Sequence, residues 1–332
     1  MLRLSALAFA TLHLLSAGAA RAEVLTIYTY DSFISEWGPG PAIEAAFEEQ
    51  CGCSIEWTAV DDAALLLSRL RLEGDRTRAD IVLGLDTNLM AEAQAEGLVR
   101  EHGINLSGLS MPMDWTDPVF VPFDYGYFAV IYDSVALPNP PATLHALTNG
   151  DAEPKLIIQD PRTSTPGLGL MLWMKAVYGD EAATRWTGLS NRLLTVTKGW
   201  SEAYGLFLEG EAPMVLSYTT SPAYHQMVEE EDRYKAIIFP EGHYLQIEVA
   251  AMAAGSEQQD LAREFLTFML SPAFQEIIPT GNWMFPVIDL GDALPVEFDA
   301  LPQPETAILL PPAEVSHERS TWTQEWLDAL SQ

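Results

Sequence analysis

The chain has 332 residues, 48% hydrophobic and 19% charged, which is enough for an extended core and about two domains. Its 17 Lys+Arg against 47 Asp+Glu give a formal charge of -30. That balance argues against nucleic acid and against an anionic membrane surface as partners, since both are bound by clustered basic residues. It permits a cationic ligand without demanding one.

Residues 1–22 carry Arg3, an apolar stretch from Leu4 to about Leu15, and small residues ending in Ala20-Arg21-Ala22. This predicts a signal peptide cut before Glu23, and therefore secretion. The apolar stretch is short for a membrane anchor, which needs about 20 residues. No Cys near the cut supports a lipid anchor, and no later segment is apolar enough to span a bilayer.

Val24–Tyr30 reads as a strand, and Pro41–Gln50 reads as a helix after the breaker Gly38-Pro39-Gly40. Cys53–Ala59 alternates as a strand, Ala63–Leu72 is a Leu-rich helix, Asp80–Leu85 a short buried strand, and Asn88–Glu96 a helix. This order predicts an α/β fold on a parallel sheet covered on both faces. Trp115–Pro122 breaks the pattern with Pro and aromatics, and Gly126–Tyr132 resumes as a strand. Lys155–Gln159 is the next strand, followed by a loop over Asp160–Gly167 and a helix from about Leu168 to Tyr178. Strand-helix units follow at Leu193–Thr197 with Ser201–Leu208, and at Met214–Tyr218 with Pro222–Glu230. His243–Met252 alternates again as a strand, helices follow at about Gln258–Leu270 and Pro272–Ile277, and an amphipathic helix lies within Pro312–Leu330. Changes of character near 120 and 242 predict two passages between two lobes, with a cleft between them. The expected division is 23–121 plus about 243–300 for one lobe, and 122–242 plus the C-terminal helix, about 301–332, for the other.

Cys51 and Cys53 are the only cysteines. Metal binding would need more soft ligands nearby, and none follows. In an oxidising compartment a short disulfide across Gly52 is expected, with a reduced pair as the alternative.

Three constellations could carry chemistry. The first, Tyr28–Ser32 with Trp37–Pro41, sits at the carboxyl end of the first strand, where open α/β sheets place ligands. Its glycines permit close backbone approach, and the following helix offers free N–H groups to an anion. The second, Gln159–Gly169, joins a strand to a helix; Ser164 and Thr165 are caps or ligand donors, and Arg162 meets an anion or Asp160. It lacks the spacing of a dinucleotide or Walker loop. The third is a set of aromatics at element ends: Trp200, Tyr218, Tyr224 and Trp283. Trp173, Trp186, Trp322 and Trp326 read as packing residues. Aromatics around a cleft suit a flat or cationic ring, and Asp62 is either a countercharge or a helix cap.

Enzyme signals are poor. No Gly-x-Ser-x-Gly or His-Glu-x-x-His motif occurs. His225 and His243 read as surface or capping residues, and no carboxylate pair stands out.

The segments YTYDSF…WGPGP, Ala79–Asp86, Phe120–Ala129, Gln159–Leu170, Val196–Leu208, Leu216–Tyr224 and Pro279–Val287 together resemble the thiamine-binding periplasmic proteins. These are the substrate-binding components of bacterial thiamine ABC transporters. The resemblance runs from about residue 24 to the C-terminal helix, and the Cys-x-Cys at Cys51 fits it. It implies a two-lobed periplasmic binding protein fold with two crossovers. It implies a monomeric periplasmic receptor, without cofactor or metal, for thiamine, thiamine monophosphate and thiamine diphosphate, delivering them to a membrane permease. By motif position the implied ligand residues are Tyr30, Trp37, Asp62, Ser164, Trp200, Tyr218, Tyr224 and Trp283. Tyr224 and Trp283 would sandwich or flank the rings. Asp62 would meet the aminopyrimidine or the thiazolium charge, and Ser164 with Trp37 and Trp200 the hydroxyethyl or phosphate end. The Asp289–Glu305 segment departs from the family pattern and is expected to lie away from the site. The same fold with Fe(III), bound through Tyr218, Tyr224 and His225, or with a polyamine, is an alternative. So, remotely, is a thiaminase-like enzyme, which would need a free cysteine nucleophile.

Overall fold

A computed structural model describes residues 23–331. The signal peptide expected at 1–22 lies outside the described residues. Strand β1 (Val24–Tyr30) leads through α1 (Asp31–Ile34) and α2 (Gly40–Cys51) to β2 (Ser54–Val60), α3 (Ala64–Glu73), β3 (Ile81–Asp86), α4 (Met90–Ala95) and β4 (Val99–Arg100). A long strand β5 (Phe120–Asp133) precedes α5 (Leu144–Leu147), β6 (Leu156–Gln159), α6 (Thr165–Tyr178), α7 (Ala182–Ser190), β7 (Leu193–Thr197) and α8 (Trp200–Leu208). Then come β8 (Met214–Tyr218), α9 (Pro222–Val228), β9 (Tyr234–Ile237) and a second long strand, β10 (His243–Ala253). The chain ends with α10 (Gln259–Phe268), α11 (Pro272–Gln275), α12 (Ile278–Gly281), β11 (Phe285–Pro286), α13 (Val296–Asp299), β12 (Ala307–Ile308) and α14 (Pro312–Leu330).

The strand order is β2-β1-β3-β10-β5-β8-β6-β7. β1 pairs in parallel with β2 and β3, and β6 pairs in parallel with β7 and β8, as the alternating pattern requires. β10 and β5 run antiparallel between these two groups, so the sheet is mixed rather than all parallel. The early part of β5 pairs with β10 and the later part with β8 and β9, which carries the chain from one group to the other.

Two boundaries differ from the sequence reading. β5 begins at Phe120 rather than Gly126, through Pro122. Proline lacks the N–H a regular ladder needs, and Pro122 sits where the β10 register shifts, between Glu248 and Val249. α6 begins at Thr165 rather than Leu168. Pro166 belongs to its first turn, where the missing N–H costs nothing. Helix α7 and strand β9 lie between the expected units.

β10 is buried along its whole length, so its apparent alternation is not an exposed face. This overturns the surface reading of His243. Its ring accepts from Phe239 N at 2.8 Å and meets Phe128 O at 2.8 Å on the other nitrogen, while burial lowers its pKa. Trp173, Trp186, Trp322 and Trp326 are all buried, as packing residues should be. α14 packs on α7, α6 and α4, and its Glu325 pairs with Lys175 at 3.0 Å. Cys51 and Cys53 form a disulfide across Gly52, which closes α2 in the left-handed conformation at φ 65°.

Candidate functional site

Loops after β1, β2, β6 and β8 converge on one cavity of about 300 Å³. β2 and β7 stand at opposite ends of the strand order, yet the loop after β2 touches the loops after β6 and β7. The two strand groups therefore face each other across the cavity, at carboxyl ends of parallel strands. Seven of the eight sequence-predicted residues line it: Tyr30, Trp37, Asp62, Trp200, Tyr218, Tyr224 and Trp283.

The eighth, Ser164, is fully buried behind the wall, and its hydroxyl donates to Asp62 Oδ2 at 2.8 Å. Asp62 also accepts from Thr165 N at 2.9 Å and Trp200 N at 3.0 Å. These are the first N–H groups of α6 and α8, and a carboxylate there meets both free donors and the positive helix ends. Burial pushes Asp62 up to about 6, and these donors hold it down from a larger rise. Nearby, Lys198 Nζ meets Asp61 Oδ2 at 2.8 Å in the open, a contact worth little by itself. Arg162 is exposed, pairs with Asp160, and does not line the cavity.

Aromatic rings form the other walls. Trp200 stacks on Tyr204 at 5.0 Å, donates from Nε1 to Ser217 Oγ at 2.8 Å, and lies 6.3 Å from the exposed Trp37. Tyr224 and Trp283 meet at 5.2 Å and 86°, so they make a corner rather than parallel plates. Trp283 has φ 56°, a conformation that a bulky side chain rarely adopts. Holding it there costs on the order of 1–3 kcal/mol, which the surrounding packing must offset. The Asp289–Glu305 segment, expected to lie away from the site, supplies part of that packing. Its Leu294, Phe298 and Leu301 cluster with Phe285 behind Trp283.

The glycines of the first constellation serve the chain itself rather than a ligand. A side chain at Gly38 would lie 2.2 Å from Ser32 O. Gly40 and Pro41, at the start of α2, do not line the cavity. Gly84 matters more: it has φ 112°, and a Cβ there would lie 2.5 Å from the Tyr30 ring. The missing side chain leaves room for Tyr30 to reach across β3.

Sequence reading missed a polar group at the far end of the cavity. Tyr30 donates to Glu248 Oε2 at 2.7 Å, and Gln246 Nε2 donates to Glu248 Oε1 at 2.9 Å. The register of β10 against β5 sets Glu248 opposite Asp124. Asn282 Nδ2 donates to Asp124 Oδ2 at 2.6 Å. Two buried carboxyls set opposite each other cannot both ionise freely, so the pair favours keeping a proton. Burial pushes Asp124 up to about 7 and, together with the Asp124 charge, lifts Glu248 well above the carboxylate range. Burial, then the Glu248 charge, also raises Tyr30. Glu248 and Asn282 line the cavity. The one available signal was a Glu inside an apolar strand run, since a buried carboxyl needs partners.

Among the described residues no Lys or Arg lines the cavity, while Asp61, Asp62 and Glu248 do. An aromatic, net-acidic cavity suits a flat cationic ligand. His225 is fully buried, not a surface residue. Its ring meets Tyr204 Oη at 2.8 Å and Glu229 at 2.7 Å, outside the cavity lining. The alternative grouping of His225 with Tyr218 and Tyr224 around Fe(III) is not formed on this cavity wall. Cys51 and Cys53 are bonded to each other and do not line the cavity, so no thiol nucleophile is available there.

Residues 38–276 match the family of bacterial extracellular solute-binding proteins. The chain is 57% identical over 323 residues to the thiamine-binding periplasmic protein of Brucella abortus biovar 1 (strain 9-941), covering 97% of this chain and 96% of that protein. It is 54% identical over 308 residues to the thiamine-binding periplasmic protein of Escherichia coli (strain K12), covering 93% and 94%. A solved periplasmic thiamin binding protein superposes with a TM-score of 0.92 at 53% identity, over 95% of this chain and 98% of that one.

Proposed function

The chain belongs to the thiamine-binding periplasmic proteins, within the bacterial extracellular solute-binding family, and we propose that it binds thiamine and its mono- and diphosphate in this cavity and delivers them to a membrane permease. The family is one of two-lobed receptors, not enzymes. The observation that carries the reading is the cavity itself: Trp200, Tyr204, Tyr218, Tyr224 and Trp283 enclose it, and every charged side chain on its wall is acidic.

The fixed positive charge of the thiazolium finds aromatic faces and the Asp62 carboxylate. A desolvated cation–π contact is worth about 2 kcal/mol. Nanomolar affinity needs about −12 kcal/mol, so burial of ring area between the walls must supply the larger share. The starts of α3, α6 and α8 also border the cavity, which favours an anionic tail near them. Asp62 already uses two of those N–H groups, so a phosphate has to share that corner with a carboxylate. We take residues 23–121 with about 243–300, and 122–242 with the C-terminal helix, as the two lobes that close on the ligand. The chain acts as a monomer, secreted through a cleaved 1–22 signal peptide. Ligand that favours the closed form shifts a hinge equilibrium toward the state a permease would accept.

Calorimetric titration of the mature chain, unfolded and refolded to strip bound ligand, tests this. Tight one-to-one binding of thiamine is expected, with the two esters ranked in the same assay. No heat and no thermal stabilisation from a folded sample would overturn the reading.

A further inference from the structure

Three carboxylates border the cavity, and their engagements differ. Asp61 pairs with Lys198 at the rim. Asp62 receives Ser164, Thr165 and Trp200. Glu248 Oε2 receives Tyr30 and, at 3.4 Å, Asn282 Nδ2; Oε1 receives Gln246; and Asp124 lies opposite across the ladder. A carboxylate can accept about four hydrogen bonds. Glu248 Oε1, with Gln246 as its donor, therefore keeps acceptor capacity, and Glu248 lines the cavity. Tyr30, Gln246 and the paired strands fix the position of that capacity, which is what a selective contact requires.

The aromatic corner lies next to it. Asn282 hydrogen-bonds both to Asp124 and to Tyr30, and the next residue is Trp283, whose ring forms the corner with Tyr224. Glu248 lines the same cavity as this corner, within reach of the edge of a flat ring held there. Resting on the thiamine reading above, we infer that Glu248 is the specificity-determining residue that accepts a hydrogen bond from the amino group of the ligand's pyrimidine, and so selects amino- over oxo-pyrimidines. Asp62, engaged by three donors around the starts of α6 and α8, balances the thiazolium charge. Tyr30 and Asp124 are positioning residues. An oxo group in place of the amino group would face the Glu248 oxygen with another acceptor and leave both unpaired, a buried mismatch that sites of this kind reject strongly.

The test is a pair of titrations of the ligand-stripped mature protein, one with thiamine and one with the analogue that carries an oxo group in place of the pyrimidine amino group. Wild-type protein is expected to bind thiamine at least tenfold tighter. Glu248→Gln, which can turn an amide N–H toward the cavity, is expected to bring that ratio to within about threefold of one, mostly by weakening thiamine. A purely structural role would weaken both ligands together and leave the ratio unchanged. Equal binding of both ligands by the wild type overturns the inference, as does a wild-type ratio in folded Glu248→Gln. Glu248→Asp is the second variant, should Gln impair folding; it withdraws the acceptor by one methylene and should also lower the ratio. Failure of the wild type to bind thiamine at all is a different result. It removes the ligand reading itself, and this inference falls with it.

Discussion

At one end of the cavity the Asp62 carboxylate meets three donors, two of them the opening N–H groups of α6 and α8 from across the sheet. At the other end Glu248 faces a second carboxyl, Asp124, across a β-ladder. Both ends are buried, and burial raises all three carboxyls. The responses differ in kind. Donors and helix ends hold Asp62 near its ionised form, whereas the Asp124–Glu248 pair retains a proton because two adjacent charges without a cation cannot both persist. The first arrangement joins two parts of the chain; the second leaves an acceptor to be used by something else. A carboxylate on a cavity wall is thus interpretable only through its partners.

Removing the joint should have the largest effect. Asp62→Ala leaves Ser164 Oγ, Thr165 N and Trp200 N without their acceptor. A loss of about 2–4 kcal/mol is expected by urea unfolding, since some of these donors regain water through the cavity. Small-angle scattering should also show a more open ligand-free molecule. An unchanged unfolding midpoint and scattering profile would show that the two parts are held together by other contacts. At the opposite end, Trp283→Ala should act on the ligand rather than on the fold. It removes one wall of the aromatic corner, and thiamine affinity is expected to drop about 30- to 100-fold. Trp283 is half-buried on the cavity wall rather than in the core, so the melting temperature should move little. A large melting shift with intact affinity would reverse the roles assigned to the two ends.

The residues of the site also differed in how far the sequence disclosed them. Asp62 stands before a Leu-rich helix, and the aromatics Trp200, Tyr218 and Trp283 stand at element ends, so local pattern marks them. The fold was legible for the same reason: β1, α2, β2, α3 and α14 follow from periodicity and breakers within short windows. Glu248 and Asp124 lie inside strands, 124 positions apart, and their meeting depends on the register of β10 against β5. Nothing within either segment encodes that register. His225 and His243 were misread likewise, because their partners, Tyr204 and the backbone of Phe128 and Phe239, come from other elements. The Asp289–Glu305 segment was read as remote because it departs from the family pattern, yet Phe298 and Leu301 back the Trp283 wall.

The smallest effect, and the one specific to the acid pair, is pH dependence. Asp124 titrates near 7 in the folded chain, against the ordinary carboxylate value it regains on unfolding. Between those values the native state holds a proton that the unfolded chain has released, so stability falls as pH rises through that interval. Asp124→Asn keeps the shape and the contact with Glu248 without the second ionisation. Its melting temperature relative to wild type should therefore rise between pH 5 and pH 8, by a few degrees for about 1 kcal/mol. Taking the difference at each pH cancels Asp62, Asp86, His225 and His243, which titrate in both proteins. A flat difference across that range would show that Asp124 is ionised throughout it, so that burial beside Glu248 does not raise it.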